Sequence, residues 1–148
     1  MARLASGVAV LATREGEGFR GLTVTSLTSL SLDPPLVLVC LDLSSRTREL
    51  VIENGAFSVS LLSRMHDFLA ERFSARAPLV DRGWREVPHR LGGNGLPVVE
   101  GAIAWLECTV AAVHPGGDHD IVVARVEAAG TGPGDPLDLW DRDYWTIG

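Results

Sequence analysis

Two adjacent prolines, Pro34 and Pro35, open an almost unbroken apolar run over residues 36–43, LVLVCLDL, and this run limits the chain's options most. A segment this short, rich in Val and Leu, reads as a strand covered on both faces. Prolines at its entrance forfeit no ladder hydrogen bond. Just upstream, six hydroxyl side chains stand in the nine positions 23–31. Thr23 and Thr25 alternate with Leu22 and Val24 as in a half-buried strand, but from Ser26 the register breaks and Thr28 and Ser29 stand side by side. Such a stretch is either a ledge of hydroxyls and backbone N–H groups that holds a phosphate or the polar edge of a ring, or an edge strand and loop in which Thr follows β-propensity and Ser makes turn bonds.

The rest of the chain reads as mostly β with two helices. Strands are predicted over residues 7–13 and 19–26 around the hairpin sequence REGEG. Ser44 or Ser45 caps a first helix that Gly55 ends, and residues 56–62 form another strand. A second helix opens at Ser63, with Met65, Phe68, Leu69 and Phe73 on one core-facing stripe. Residues 74–99 carry many prolines and glycines and predict a long irregular excursion that is functional or covers something. Two long strands follow, over residues 102–113 and 119–129, with HPGGD as their hairpin. In the first of them Leu106, Cys108 and Val110 face inward while Trp105, Glu107 and Thr109 face water. A last strand lies in PLDLWDRDYWTIG. The pattern predicts a single domain over residues 1–148, a mainly β, Greek-key split barrel with a few short helices.

The polar motifs each admit two readings. SSRT, with Ser44, Ser45 and Thr47, sits where a helix begins, so it is a seat for an anion or simply a cap. His119, between Asp118 and Asp120 at a hairpin end, is a ligand contact or a solvated turn residue. With His114 near it but no third ligand, a metal site is not expected. His66 and His89 are expected at the surface. Ser63, His66 and Asp67 are triad residue types without a nucleophile turn, and no phosphate-binding glycine loop is present.

A net charge of −6, with all 13 basic residues arginine and scattered, offers no track for a nucleic-acid backbone. The apolar runs fall short of a membrane span, and the N-terminal patch reads as a strand rather than a signal peptide. Cys40 and Cys108, each within an apolar segment, suit buried thiols and a cytoplasmic location.

Taken together, GLTVTSLTSLSLDPPLVLVCLDLSSRT, FSVSLLSRMHDFLAERFS, GDHDIVVARV and PLDLWDRDY resemble the flavin reductase-like family over essentially the whole chain. The first segment is specific, because hydroxyl ledge, double proline, apolar strand and SSxT recur together there. The resemblance implies a split β-barrel that binds FMN or FAD and uses NADH or NADPH as hydride donor. It assigns Thr23, Val24, Thr25, Ser26 and Leu27, with Thr28 and Ser29, to the isoalloxazine and ribityl chain. Residues 40–47, with Cys40 and Leu41 at their start, line the flavin, with Ser44, Ser45 and Thr47 towards its phosphate, and Arg72, Phe73 and Ser74 form another contact patch. His119 is placed against the nicotinamide as the catalytic residue, and Tyr144, with the preceding Trp140, Asp141 and Arg142, belongs to a tail that closes over it. Ala124 departs from a common glycine and Leu139 from a frequent aromatic. The resemblance further implies a homodimer that supplies reduced flavin to a separate monooxygenase. The alternatives are a flavin carrier without turnover and a related FMN-dependent oxidase.

Overall fold

The computed structural model describes residues 1–75 and 83–147. Its strands in chain order are β1 (Ser6–Gly7), β2 (Ala9–Glu15), β3 (Gly18–Val24), β4 (Thr28–Leu32), β5 (Pro35–Asp42), β6 (Ala56–Leu61), β7 (His89–Leu91), β8 (Pro97–Val99), β9 (Ala104–Gly116), β10 (His119–Thr131), β11 (Leu137–Trp140) and β12 (Asp143–Thr146). Two helices, α1 (Arg46–Asn54) and α2 (Asp67–Arg72), the latter entered through a 3-10 turn at Arg64–His66, complete it.

Seven strands form one antiparallel sheet in the order β3-β2-β6-β9-β10-β5-β4. Its two edges, β3 and β4, are consecutive in the chain and joined only by Thr25, Ser26 and Leu27. In a flat sheet, six spacings of ~4.8 Å would hold those edges about 29 Å apart, whereas the link spans at most ~14 Å. The sheet therefore has to curl into a barrel, and the hydroxyl stretch is the seam where its edges meet. This is the split barrel expected from the sequence.

Inside the barrel, Leu11, Val39, Leu41, Phe57, Val59, Cys108 and Val122 form the main core. A second core lies on the outer face, where Val8, Val10, Leu62, Leu69, Phe73, Trp84 and Leu137 pack together. The strand between the two cores is β2, whose Leu11 points in while Val10 points out, both buried. The run at residues 36–43 behaves differently from expectation. In β5 only Val37, Val39 and Leu41 are buried, and Leu36, Leu38 and Cys40 stay half-exposed. The second core covers β2 and leaves β5, next to the edge, with one open face. Cys40 is accordingly half-buried rather than buried, while burial pushes the Cys108 thiol up to about 12.

Other expectations were met or shifted for local reasons. Ser45, not Ser44, caps α1 by accepting the Arg48 N–H, and Gly55 at φ 69° ends it by donating to the Val51 carbonyl. The β9–β10 ladder continues through His114 and Pro115, so only Gly117 and Asp118 turn the hairpin. The stripe predicted on the second helix splits, with Leu69 and Phe73 buried but Met65 and Phe68 exposed. A 3-10 turn advances faster per residue than an α-helix, so the face before α2 is out of phase with the face after it. His66, expected at the surface, is thereby turned inward and is 8% exposed.

Residues 74–99 were expected to be irregular. Residues 76–82 lie outside the described residues, but the later part forms the β7–β8 ribbon. This ribbon covers the outer core rather than a site, with the Ser58 hydroxyl donating to the Pro97 carbonyl and the Val99 N–H to Ser60 Oγ. His89 is half-buried, its ring edge-on to Trp84. Glu107, expected to face water, is buried beneath the turn at Gly92–Asn94, whose Asn94 N–H donates to its carboxylate at 3.0 Å. A Cβ at Gly92 would meet that carboxylate, so glycine permits the cover.

Candidate functional site

The seam opens on a cleft of about 300 Å³ at one end of the barrel. Three elements converge on it because of the sheet order. The end of β3 contributes Leu22, Thr23 and Val24, and the seam contributes Thr25 and Ser26. The end of β5 brings Cys40, Leu41 and Asp42, Ser45 begins α1, and His119 begins β10. Apolar walls with a polar rim are the usual make-up of a small-molecule site.

Hydrogen bonds hold this geometry. Ser26 Oγ donates to the Cys40 carbonyl at 3.1 Å and accepts the Cys40 N–H at 3.0 Å, tying the seam to β5. The Thr23 hydroxyl donates to the Ala70 carbonyl of α2 at 2.7 Å, and the Thr23 N–H to the Phe73 carbonyl at 2.9 Å. The fold thus uses the Thr23 hydroxyl to brace β3. The first turn of α1 is fixed to β10 by Arg48, whose Nε lies 2.6 Å from Asp120 Oδ2 in a largely buried ion pair.

His119 sits among carboxylates. Its Nδ1 lies 2.7 Å from Asp118 Oδ1, and it pairs with Asp42 across the β10–β5 ladder. With Nδ1–H donating to Asp118, a neutral ring presents Nε2 as an acceptor and a protonated ring presents it as a donor. The Ser44 hydroxyl and N–H both donate to Asp42 Oδ1, and these bonds, reinforced by His119, hold the Asp42 carboxyl below its ordinary range. Asp42 lies in the stretch 40–47 assigned to the flavin but was given no role of its own, although it is the one charged residue in the apolar run. Its register opposite His119 exists only in the folded sheet.

The remaining sequence-assigned residues lie around the cleft rather than in it. Leu27 and Thr28 line a neighbouring apolar hollow of about 420 Å³ that has no ionisable side chain in its walls. Ser29 is exposed on β4. Thr47 is buried, with Oγ1 accepting from Arg20 Nε at 3.3 Å. Arg72 donates twice to the Gly83 carbonyl. The Phe73 ring is fully buried and stacked on Trp84, so it supports β3 from behind. The α2 exit still reaches the cleft through Ala75, the neighbour of Ser74. Tyr144 packs on the outer core within the β1-β11-β12 sheet and does not line the cleft.

The geometry has clear relatives. The model of the flavin reductase like domain matches residues 1–148. The chain is 37% identical over 153 residues to a NADH-dependent flavin reductase of a Rhodococcus species, covering 99% of this chain and 82% of that protein. It is 38% identical over 149 residues to the reductase component of 4-hydroxyphenylacetate 3-monooxygenase from Thermus thermophilus, covering 97% and 90%. Among solved structures, the NADH:FAD oxidoreductase of Streptomyces globisporus in complex with NAD and FAD fragments superposes with a TM-score of 0.91 at 30% identity, covering 99% of this chain and 88% of that one. A seam of hydroxyls closing a curled antiparallel sheet, and a whole-chain match in both sequence and fold, place this chain in the flavin reductase-like family.

Proposed function

We propose that this protein is an NAD(P)H:flavin oxidoreductase that passes hydride from a nicotinamide to FMN or FAD and supplies reduced flavin to a separate monooxygenase. The observation that carries the reading is the convergence of the seam, the end of β5, the cap of α1 and His119 on one cleft, in a chain of this family. The residues present suit a flavin. Leu22, Val24 and Leu41 offer an apolar wall for a ring, Thr25 and Ser26 a polar edge, and the α1 N-terminus at Ser45 favours an anionic group. A bound flavin would supply the hydride-accepting chemistry, as cofactors generally do.

The chain's own part is positioning. Ser26 holds the seam against β5, so the wall is set before a ligand arrives. Asp118 fixes the His119 ring and leaves Nε2 to accept from a carboxamide N–H, which orients a nicotinamide without any proton transfer. Homodimerisation belongs to the same proposal. What supports it is the β4 edge, where Leu30 and Leu32 are exposed beside the open face of β5, together with the prevalence of closed two-fold pairs.

The test mixes purified protein with NADH or NADPH and FMN or FAD and follows the absorbance of the reduced nicotinamide. Oxidation faster than the protein-free rate is expected. A rate no faster than the blank with every pairing would overturn the reading. Sedimentation tests the dimer, with a monomer at micromolar concentration as the opposing result.

A further inference from the structure

The β1-β11-β12 sheet turns one face to the outer core, where Leu137, Leu139 and Tyr144 pack. Side chains two apart on a strand, and those directly opposite across an antiparallel pair, share a face. The outward face therefore carries Asp138, Trp140 and Trp145, and Asp138 stands between Trp145 on one neighbouring strand and Gly7 on the other. These four residues and Ile147 line a hollow of about 440 Å³. It shares no lining residue with the His119 cleft, so its occupant goes beyond the flavin reductase reading.

Three features suit this hollow to a cation. Asp138 Oδ2 is shielded from water and has no hydrogen-bond partner among the described residues. A carboxylate oxygen in that position costs free energy until a donor reaches it. Arg3 does not meet the need, because it is engaged by Asp141 at 3.8 Å and does not line the hollow. The second feature is the pair of indoles, which meet edge to face with centroids 5.9 Å apart and planes at 72°, so that they wall a corner. Trp140 Nε1 donates to the Arg3 carbonyl and Trp145 Nε1 to the Trp140 carbonyl, each at 3.2 Å. With both N–H groups spent inside the protein, the indoles offer a ligand their π faces, which attract cations. The Arg3 guanidinium already stands 5.2 Å from the Trp140 ring centroid. The third feature is Gly7, where a Cβ would meet nothing within 4 Å, so the space beside the carboxylate stays open.

The chemistry of the ligand follows from these walls. They hold one carboxylate, two aromatic rings and no basic side chain, so an anion gains nothing there. A cation with N–H groups gains twice, by donating to Asp138 Oδ2 and by lying against an indole face. We propose that the hollow is a binding site for a small organic cation that carries N–H donors, a primary ammonium or guanidinium compound. A free small molecule fits better than a side chain of a protein partner, because the site is concave and of small-ligand size. The net charge of −6 draws such a cation towards the chain.

The wild type, Asp138→Asn and Gly7→Val are titrated at millimolar concentration with n-butylammonium, tetramethylammonium and 1-butanol, and both tryptophan fluorescence and Tm are followed. In the wild type n-butylammonium should change the fluorescence and raise Tm, as a ligand of the folded state does. Tetramethylammonium, which has no N–H to give Asp138, should bind about tenfold more weakly, and the uncharged 1-butanol should leave both signals unmoved. Asp138→Asn should weaken n-butylammonium about tenfold and raise the Tm of the unliganded protein, because the unpartnered charge is gone. Gly7→Val fills the hollow without touching the charge; a β-branched residue suits a strand, so it should block the cation while the protein stays folded. These unliganded Tm values separate loss of binding from loss of fold. No response of the wild type to n-butylammonium, an equal response to 1-butanol or tetramethylammonium, or unchanged binding in either variant overturns the site. So does binding of an acetylated arginine peptide where n-butylammonium fails, which would make the hollow a contact for a protein partner.

Discussion

His66 and His119 each stand beside an aspartate in the sequence, Asp67 for one and Asp118 and Asp120 for the other, and the fold treats them oppositely. His66 is committed on both sides. Its Nδ1 accepts the Ser63 N–H at 3.1 Å, so a neutral ring carries its proton on Nε2 and donates it to the Glu100 carbonyl at 3.1 Å. Ser63 in turn accepts the Met65 N–H, and its neighbour Arg64 donates its N–H to the Asp135 carbonyl, so the knot joins the start of α2 to the chain before β11. His119 has one nitrogen bonded to Asp118, and its side chain is 40% exposed at the cleft. A polar residue whose hydrogen-bonding capacity is used up inside the protein is structural, and one with capacity left over at a cleft can serve a ligand.

The contrast can be broken most severely at the buried end. His66→Ala leaves the Ser63 N–H and the Glu100 carbonyl without their partner and is expected to cost about 2–3 kcal/mol in urea unfolding, with turnover per folded molecule unchanged. A loss below about 0.5 kcal/mol would show that the knot is dispensable. His119→Ala reverses the pattern. NADH-driven flavin reduction should fall about tenfold, the worth of one orienting hydrogen bond, while flavin affinity and unfolding midpoint barely move. Unchanged turnover would remove His119 from the site.

Ser26→Ala lies between these two. It takes away both bonds to Cys40 and should cost about 1 kcal/mol of stability together with a severalfold loss of flavin affinity, since the wall of the cleft is no longer set. Stability loss without weaker flavin binding would make Ser26 a purely structural residue.

The pH response sharpens the comparison further. Burial pushes the His66 imidazole below its ordinary value, and the bond to Glu100 offsets this only in part. The folded protein therefore holds this proton less tightly than the unfolded chain. The His66 contribution is complete above about pH 6.5 and is lost as pH falls through the lower folded value. Urea midpoints should drop on acidification below about pH 6.5, and His66→Gln should flatten that slope; an identical slope in the variant would assign the acid sensitivity elsewhere. The smallest effect concerns the thiols. Cys40, half-buried in the cleft, should react with a thiol reagent in the native protein and be slowed by FMN, whereas Cys108 should react only on unfolding. Labelling of Cys40 at the same rate with and without FMN would count against the cleft as the flavin site.

Much of this molecule is local in origin and so was legible from the residues. Alternation marked β2, β3 and β6, Gly55 marked the end of α1, and the hydroxyl stretch with its double proline marked the family, because propensity, turn chemistry and capping act over a few neighbours. The misjudged features are those set by distant packing partners. Glu107 looked solvent-facing until the Gly92–Asn94 turn folded over it, and His66 looked exposed because its helix is entered by a 3-10 turn. Met65, within that turn, left the predicted stripe for the same reason.

What the sequence determined by itself was a curled antiparallel sheet with a polar seam, capped helices and a histidine at a hairpin end. Only the tertiary structure decided that Asp42 lies opposite His119, that Thr23 spends its hydroxyl on α2, and that Gly7 lies beside Asp138 in a hollow walled by two tryptophans. Strand register and sheet closure join residues far apart in the chain, and no local pattern encodes which of two polar side chains will find its partner inside the protein and which will be left facing a cleft.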